Sequence, residues 1–126
     1  MDEKLLSPFY CEDVDLCYRA LKRGYKLIWE PGAKVEHMHE ATISSFPKKN
    51  VQRIMERNQL LFIWKNLTST NLLRKHVAGL FKRLAKHPGY IRIVFAAMIK
   101  VGTVAKARKR EIKEAKISDE AIFSRF

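Results

Sequence analysis

The chain is 126 residues long, 47% hydrophobic and 30% charged, with a formal net charge of +12. That length suits one domain, and the composition excludes a disordered segment. The charge is uneven: residues 1–45 hold six Lys or Arg against eight Asp or Glu, a net of −2, whereas residues 46–126 hold nineteen against five, a net of +14.

The first predicted element is a short amphipathic helix from Asp13 to Arg23. Val14, Cys17, Tyr18 and Leu21 recur at helical spacing and are expected inside, with Asp15, Arg19 and Lys22 facing away. Acidic residues in its first turn and Lys22-Arg23 in its last suit the helix dipole, and Gly24 stands where a C-terminal cap belongs. Tyr25 to Trp29 is a β-prone run stopped by Pro31-Gly32. Ala33 to His39 is expected as a second strand, whose period of two places Val35, His37 and His39 on one face. The pattern then becomes helical. Ser44 or Ser45 caps a helix that accommodates Pro47 in its first turn and runs to about Asn66, with Val51, Ile54, Met55, Leu61 and Phe62 as its buried stripe. Thr70 or Asn71 caps the next helix, which turns Leu73, Val77, Leu80, Phe81 and Leu84 inward until His87-Pro88-Gly89 breaks it. One long helix is expected from near Tyr90 through Arg108-Lys109-Arg110, and Ser118 caps a last short turn over Ile122 and Phe123.

The segment richest in chemistry reads Ser7-Pro-Phe-Tyr-Cys-Glu-Asp-Val-Asp-Leu-Cys-Tyr-Arg-Ala20, followed by Gly24-Tyr25 and by Pro31 through His37. It resembles the acceptor-side signature of family 2, GT-A-type glycosyltransferases. There an aromatic lead-in meets Glu-Asp, then a helix that often reads Val-Asp-Leu, a Gly-Tyr step, a strand ending at Pro, and a Val-x-His element. Asp2-Glu3 is similar to the Asp-Glu that precedes the lead-in. Arg57-Asn58 and Lys65-Asn66 match a helix found next in bacterial, rhamnosyltransferase-like members. The resemblance covers roughly residues 2–66, and its specificity comes from order and spacing together. It implies an α/β fragment: the C-terminal portion of a GT-A fold, with a short helix and two strands, followed by a mainly α-helical basic appendage. Residues 1–45 would be the acceptor-side catalytic segment and residues 46–126 the helical basic region. The parallel strands and true Asp-x-Asp of the nucleotide-binding half are not in the sequence, and neither is a Gly-rich phosphate loop, so the chain alone is expected to be inactive.

By the same resemblance, the complete enzyme transfers a sugar from a nucleotide-sugar donor to a saccharide or lipid-linked acceptor with inversion, and Asp13 is its catalytic base. The chemistry agrees, because an acceptor hydroxyl attacking an anomeric carbon must lose its proton, and a positioned carboxylate can take it for about 10²–10⁴-fold in rate. Glu12 either orients acceptor hydroxyls or braces the turn. The alternative for Glu12, Asp13 and Asp15 together is simple negative charge at a helix N-terminus. Asp13-Val14-Asp15 also spells Asp-x-Asp, but two residues apart on a helix the carboxylates point about 200° apart and cannot share one metal. Asp15 is expected at the surface or in a supporting role. His37 matches the His of Val-x-His, which in some relatives binds the divalent metal, manganese or magnesium, that neutralises the departing diphosphate; the alternative is a hydrogen-bonded strand histidine. His39 shares its face. Glu40 and Thr42 stand where the family usually has Gly and Ser. Arg57 is either a diphosphate contact or a solvated helix cation.

Cys11 and Cys17 are too few for a disulfide framework and read as small packing residues in a reducing, cytoplasmic setting. No basic-then-apolar leader follows Met1, which leaves the sequon Asn66-Leu67-Thr68 without a secretory context. Tyr90 to Val104 is mostly apolar but too short for a span of about 20 residues, and Arg92 and Lys100 interrupt it. A basic amphipathic helix lying on an anionic membrane surface fits better, placing the protein at the inner face of the plasma membrane. Nucleic acid is not an expected partner, since neither a recognition motif nor interleaved aromatics accompany the basic residues. The bland alternative for this basic region is packing against the rest of a complete enzyme. The reading from a different class is a non-catalytic basic helical adaptor that binds a membrane surface or nucleic acid.

Overall fold

The computed structural model describes residues 3–8, 11–34 and 46–125. The regular elements among them are helices: α1 (Glu3–Leu6), α2 (Glu12–Lys22), α3 (Lys48–Asn66), α4 (Thr70–Lys86), a 3-10 turn (Pro88–Tyr90), α5 (Ile91–Met98), α6 (Val101–Glu114) and α7 (Asp119–Phe123). The expected α/β fragment with two strands is overturned, for no strand forms among the described residues. Tyr25 to Trp29 is irregular and open to solvent, with Ile28 84% and Trp29 87% exposed. A β-prone run needs a neighbouring strand to satisfy its backbone groups, and none lies beside this one among the described residues. Of the second expected strand, Ala33 and Lys34 are also irregular; Val35 to His39 lie outside the described residues.

α3 is the hub, with α1, α2, α5 and α6 packed against it, while α4 meets the 3-10 turn and α7 meets α2. Leu60 and Leu61 of α3 join Leu5 and Leu6 of α1, Tyr90, Val94 and Ala97, and Val104 of α6 in one buried cluster. Arg108 Nη1 reaches across from α6 to the carbonyls of Trp64 (2.8 Å) and Leu67 (2.6 Å), so an α6 cation satisfies acceptors at the end of α3.

The ends of α2 and α4 follow from local chemistry. Gly24 adopts φ +87°, the Gly24 amide donates to the Leu21 carbonyl and the Tyr25 amide to that of Ala20, which is the Schellman arrangement and bears out the expected cap. Ser69, rather than Thr70 or Asn71, caps α4, its hydroxyl accepting from the Leu72 amide. Ser118 caps α7 as expected. Pro47 precedes α3 as its N-cap residue instead of entering the first turn.

Two expectations about helices change. The long helix after Tyr90 is two helices bent by 68°. Lys100 at the break sends its Nζ to the Leu5 carbonyl at 2.8 Å, and the bend lets both Val94 and Val104 reach the cluster on α3. The second change is the orientation of α2. Asp15 and Lys22 are buried, while Val14, Leu16 and Cys17 are exposed, so the face expected to look outward looks inward.

Candidate functional site

The N-terminus of α2 begins at an unusual backbone position. Cys11, the N-cap residue, has φ 76° and no side-chain cap bond. A left-handed conformation costs a non-glycine residue about 1–2 kcal/mol, so the turn that delivers Glu12 and Asp13 is held by its surroundings. The Cys11 carbonyl accepts the Asp15 amide at 2.8 Å. Burial, with the charges of Glu12 and Asp15 behind it, pushes the Cys11 thiol up, and its side chain packs against the buried cluster.

Asp13 is exposed in the first turn of α2, and Glu12 is half-buried beside it. No hydrogen bond or ion pair to the described residues engages the Asp13 carboxylate. Asp15, two residues on, is the opposite case. Lys65 Nζ donates to both of its oxygens at 2.8 and 2.7 Å, and Asn66 Nδ2 donates to Oδ1 at 2.6 Å. The expectation of Asp15 at the surface is therefore corrected: its carboxylate is buried and bound to α3. The rejection of Asp-x-Asp as a shared metal site agrees with this geometry, one carboxylate facing solvent and the other saturated inside.

Three stretches that carry the resemblance meet here. Lys65-Asn66 binds Asp15 on α2, and Arg57-Asn58 holds the end of α1, with Arg57 Nη2 on the Ser7 carbonyl at 2.7 Å and Asn58 Nδ2 on the Leu6 carbonyl. Arg57 is thus engaged with the backbone, which leaves it neither a free diphosphate contact nor a merely solvated cation. Asn66 is 1% exposed and committed to Asp15, so the folded chain does not present the sequon at Asn66 for modification.

A second ionic centre joins α2 to α7. Asp119 accepts from Lys22 Nζ (2.8 Å), the Tyr18 hydroxyl (2.6 Å) and the backbone amides of Thr68 and Ser69 (2.6 Å each). Burial raises the Asp119 carboxyl, but these donors together outweigh it and hold it below the usual carboxylate range. Burial and the bond to Asp119 push the Tyr18 hydroxyl far up, so Tyr18 serves as a fixed donor. Beyond it, Glu111, 1% exposed, lies between Arg19 (3.0 Å) and Arg23 (2.8 Å), and Arg23 also meets Glu114. Sequence reasoning missed these residues because the polar and apolar sides of α2 share one period. A signal was available in α3, where Asn58, Lys65 and Asn66 recur at the same spacing as the core residue Leu61.

The divalent metal expected with the resemblance has no donor set among the described residues: no three His, Cys, Asp or Glu there converge as a metal would need. His37 and His39 lie outside the described residues. No protein-family model, curated protein or solved structure matches the chain.

Proposed function

We propose that the chain supplies the acceptor side of an inverting glycosyltransferase, with Asp13 as the base. The observation that carries this reading is the contrast between Asp13, exposed and bonded to no other described residue at the start of α2, and Asp15, fully engaged two residues later. In the reaction the acceptor O–H gives its proton to Asp13. The freed electron pair forms the new bond to the anomeric carbon, and the bond from that carbon to the donor's diphosphate oxygen breaks on the opposite face. In this reading Glu12 either orients a neighbouring acceptor hydroxyl or braces the turn. The donor is a nucleotide-sugar and the acceptor a saccharide or lipid-linked saccharide. The order and spacing of residues 2–66 support this reading as well.

In the complete enzyme, Asp13→Asn should lower turnover by roughly 10²-fold or more with donor affinity nearly unchanged. Steady-state kinetics alongside calorimetric titration of a nucleotide-sugar panel would measure both. The 126-residue chain by itself should show negligible nucleotide-sugar binding; micromolar affinity there would overturn the assignment of this segment to the acceptor side. The helical architecture favours one second reading, a non-catalytic basic adaptor that binds a membrane surface or nucleic acid, under which the complete protein would transfer no sugar with Asp13 or with Asn in its place.

A further inference from the structure

Between Arg57 and Arg110 the sequence contains thirteen Lys or Arg and no Asp or Glu. Several of these cations are used internally: Arg57, Lys65, Lys100 and Arg108 all donate to groups inside the fold. Others have no acidic partner among the described residues and are exposed. Lys82 and Lys86 lie near the end of α4, Arg92 on α5, and Lys106 and Lys109 on α6. They bracket α5 in sequence on both sides.

α5 itself has two unlike faces. Val94 and Ala97 are buried against α3, whereas Ile91, Phe95, Met98 and Ile99 fall together on the other face at helical spacing. Phe95 is 61% exposed and Ile99 86% exposed. Lys100 would place a charge at the corner, but its amine is drawn in to the Leu5 carbonyl, and burial lowers its proton affinity with Arg57 adding to the effect. Ile99 is left as the tip of the bend, with Val101 exposed just beyond it. No single helix among the described residues is long and apolar enough to cross a bilayer.

We propose that the outer face of the α5–α6 elbow docks on an anionic lipid bilayer. Phe95, Met98 and Ile99 enter the boundary between headgroups and acyl chains, and Lys82, Lys86, Arg92, Lys106 and Lys109 meet lipid phosphates. An exposed apolar strip with exposed cations before, within and after it in sequence, and no acidic residue from Arg57 to Arg110, is the complement of such a surface, where apolar burial and charge attraction act together. The inference stands apart from Asp13 and from any sugar transfer.

Co-sedimentation of the 126-residue chain with vesicles tests it. Binding to phosphatidylglycerol–phosphatidylcholine vesicles should exceed binding to pure phosphatidylcholine at least tenfold and weaken as salt rises. Phe95→Ser with Ile99→Ser should reduce binding about tenfold or more, with the far-UV circular dichroism spectrum unchanged because both side chains are exposed. Replacing Lys82, Lys86, Lys106 and Lys109 with Gln should remove the preference for anionic vesicles. Equal binding to both vesicle types, or no binding to either, would overturn the proposal. So would a bound fraction that resists carbonate extraction, or a loss of self-association in the Phe95 and Ile99 variant without any vesicle binding, which would give the face to a second copy of the chain.

Discussion

Asp13 and Asp15 differ only in position along one helix, yet their environments assign them opposite tasks. A carboxylate in water can be replaced with little effect on the fold, whereas removing one member of a buried ion pair leaves its partner charged and uncompensated, at a cost of about 3–5 kcal/mol. Asp15→Asn should therefore destabilise the chain by that amount, because Lys65 has no exposed surface through which water could take over. Asp13→Asn should stay within about 0.5 kcal/mol of the parent. Urea unfolding followed by circular dichroism would separate them, and equal losses would contradict the burial of Asp15. The residue scale is also where sequence reasoning succeeded in part. The 200° divergence of the two side chains follows from helix geometry alone. Which of them faces inward did not follow, because that depends on whether α3 presents leucines or a lysine and an asparagine to that face.

At the scale of elements, α2, α3, α4 and α7 and part of their punctuation were legible, with Gly24 closing α2, the Pro88-Gly89 break and Ser118 opening α7, whereas α1 was not. These signals are local, set by backbone conformation and by one side chain reaching a nearby amide. The strand expectation misled, since Tyr25 to Trp29 has strand composition but no strand neighbour among the described residues. The bend at Lys100 was equally hidden, because the carbonyl that holds its amine belongs to Leu5, far away in sequence. Inward and outward faces misled in α2 and in α4, where Val77 and Phe81 are exposed instead of packed. In α2, ionic partners claim the opposite face. A direct consequence is that Val14→Lys with Leu16→Lys should change the melting temperature by no more than a degree or two, whereas Leu61→Ala should cost about 2–5 kcal/mol. A large loss from the first pair would return the apolar face of α2 to the core.

For the molecule as a whole, the interior is held by a modest apolar cluster and by buried charges that satisfy one another. Asp15, Glu111 and Asp119 are each matched by a buried or half-buried Lys or Arg. Such an interior specifies its partners more strictly than leucine packing does, because a mismatched charge is far costlier than a misplaced methyl group. The pairings are also remote in sequence: Lys22 and Asp119 are separated by 97 residues and Tyr18 and Asp119 by 101. Helices form from neighbouring residues, and a contact that must close so long a loop gains nothing until its ends have met. The Asp119 centre should accordingly assemble after the barrier to folding, acting as a latch on a structure already largely built. Asp119→Asn would then leave the refolding rate nearly unchanged and speed unfolding by roughly a hundredfold, the partition expected when a contact worth about 3 kcal/mol is absent from the transition state. Stopped-flow refolding and unfolding in urea would read both limbs. A slowed refolding limb would mean instead that the latch closes early and guides the helices into place.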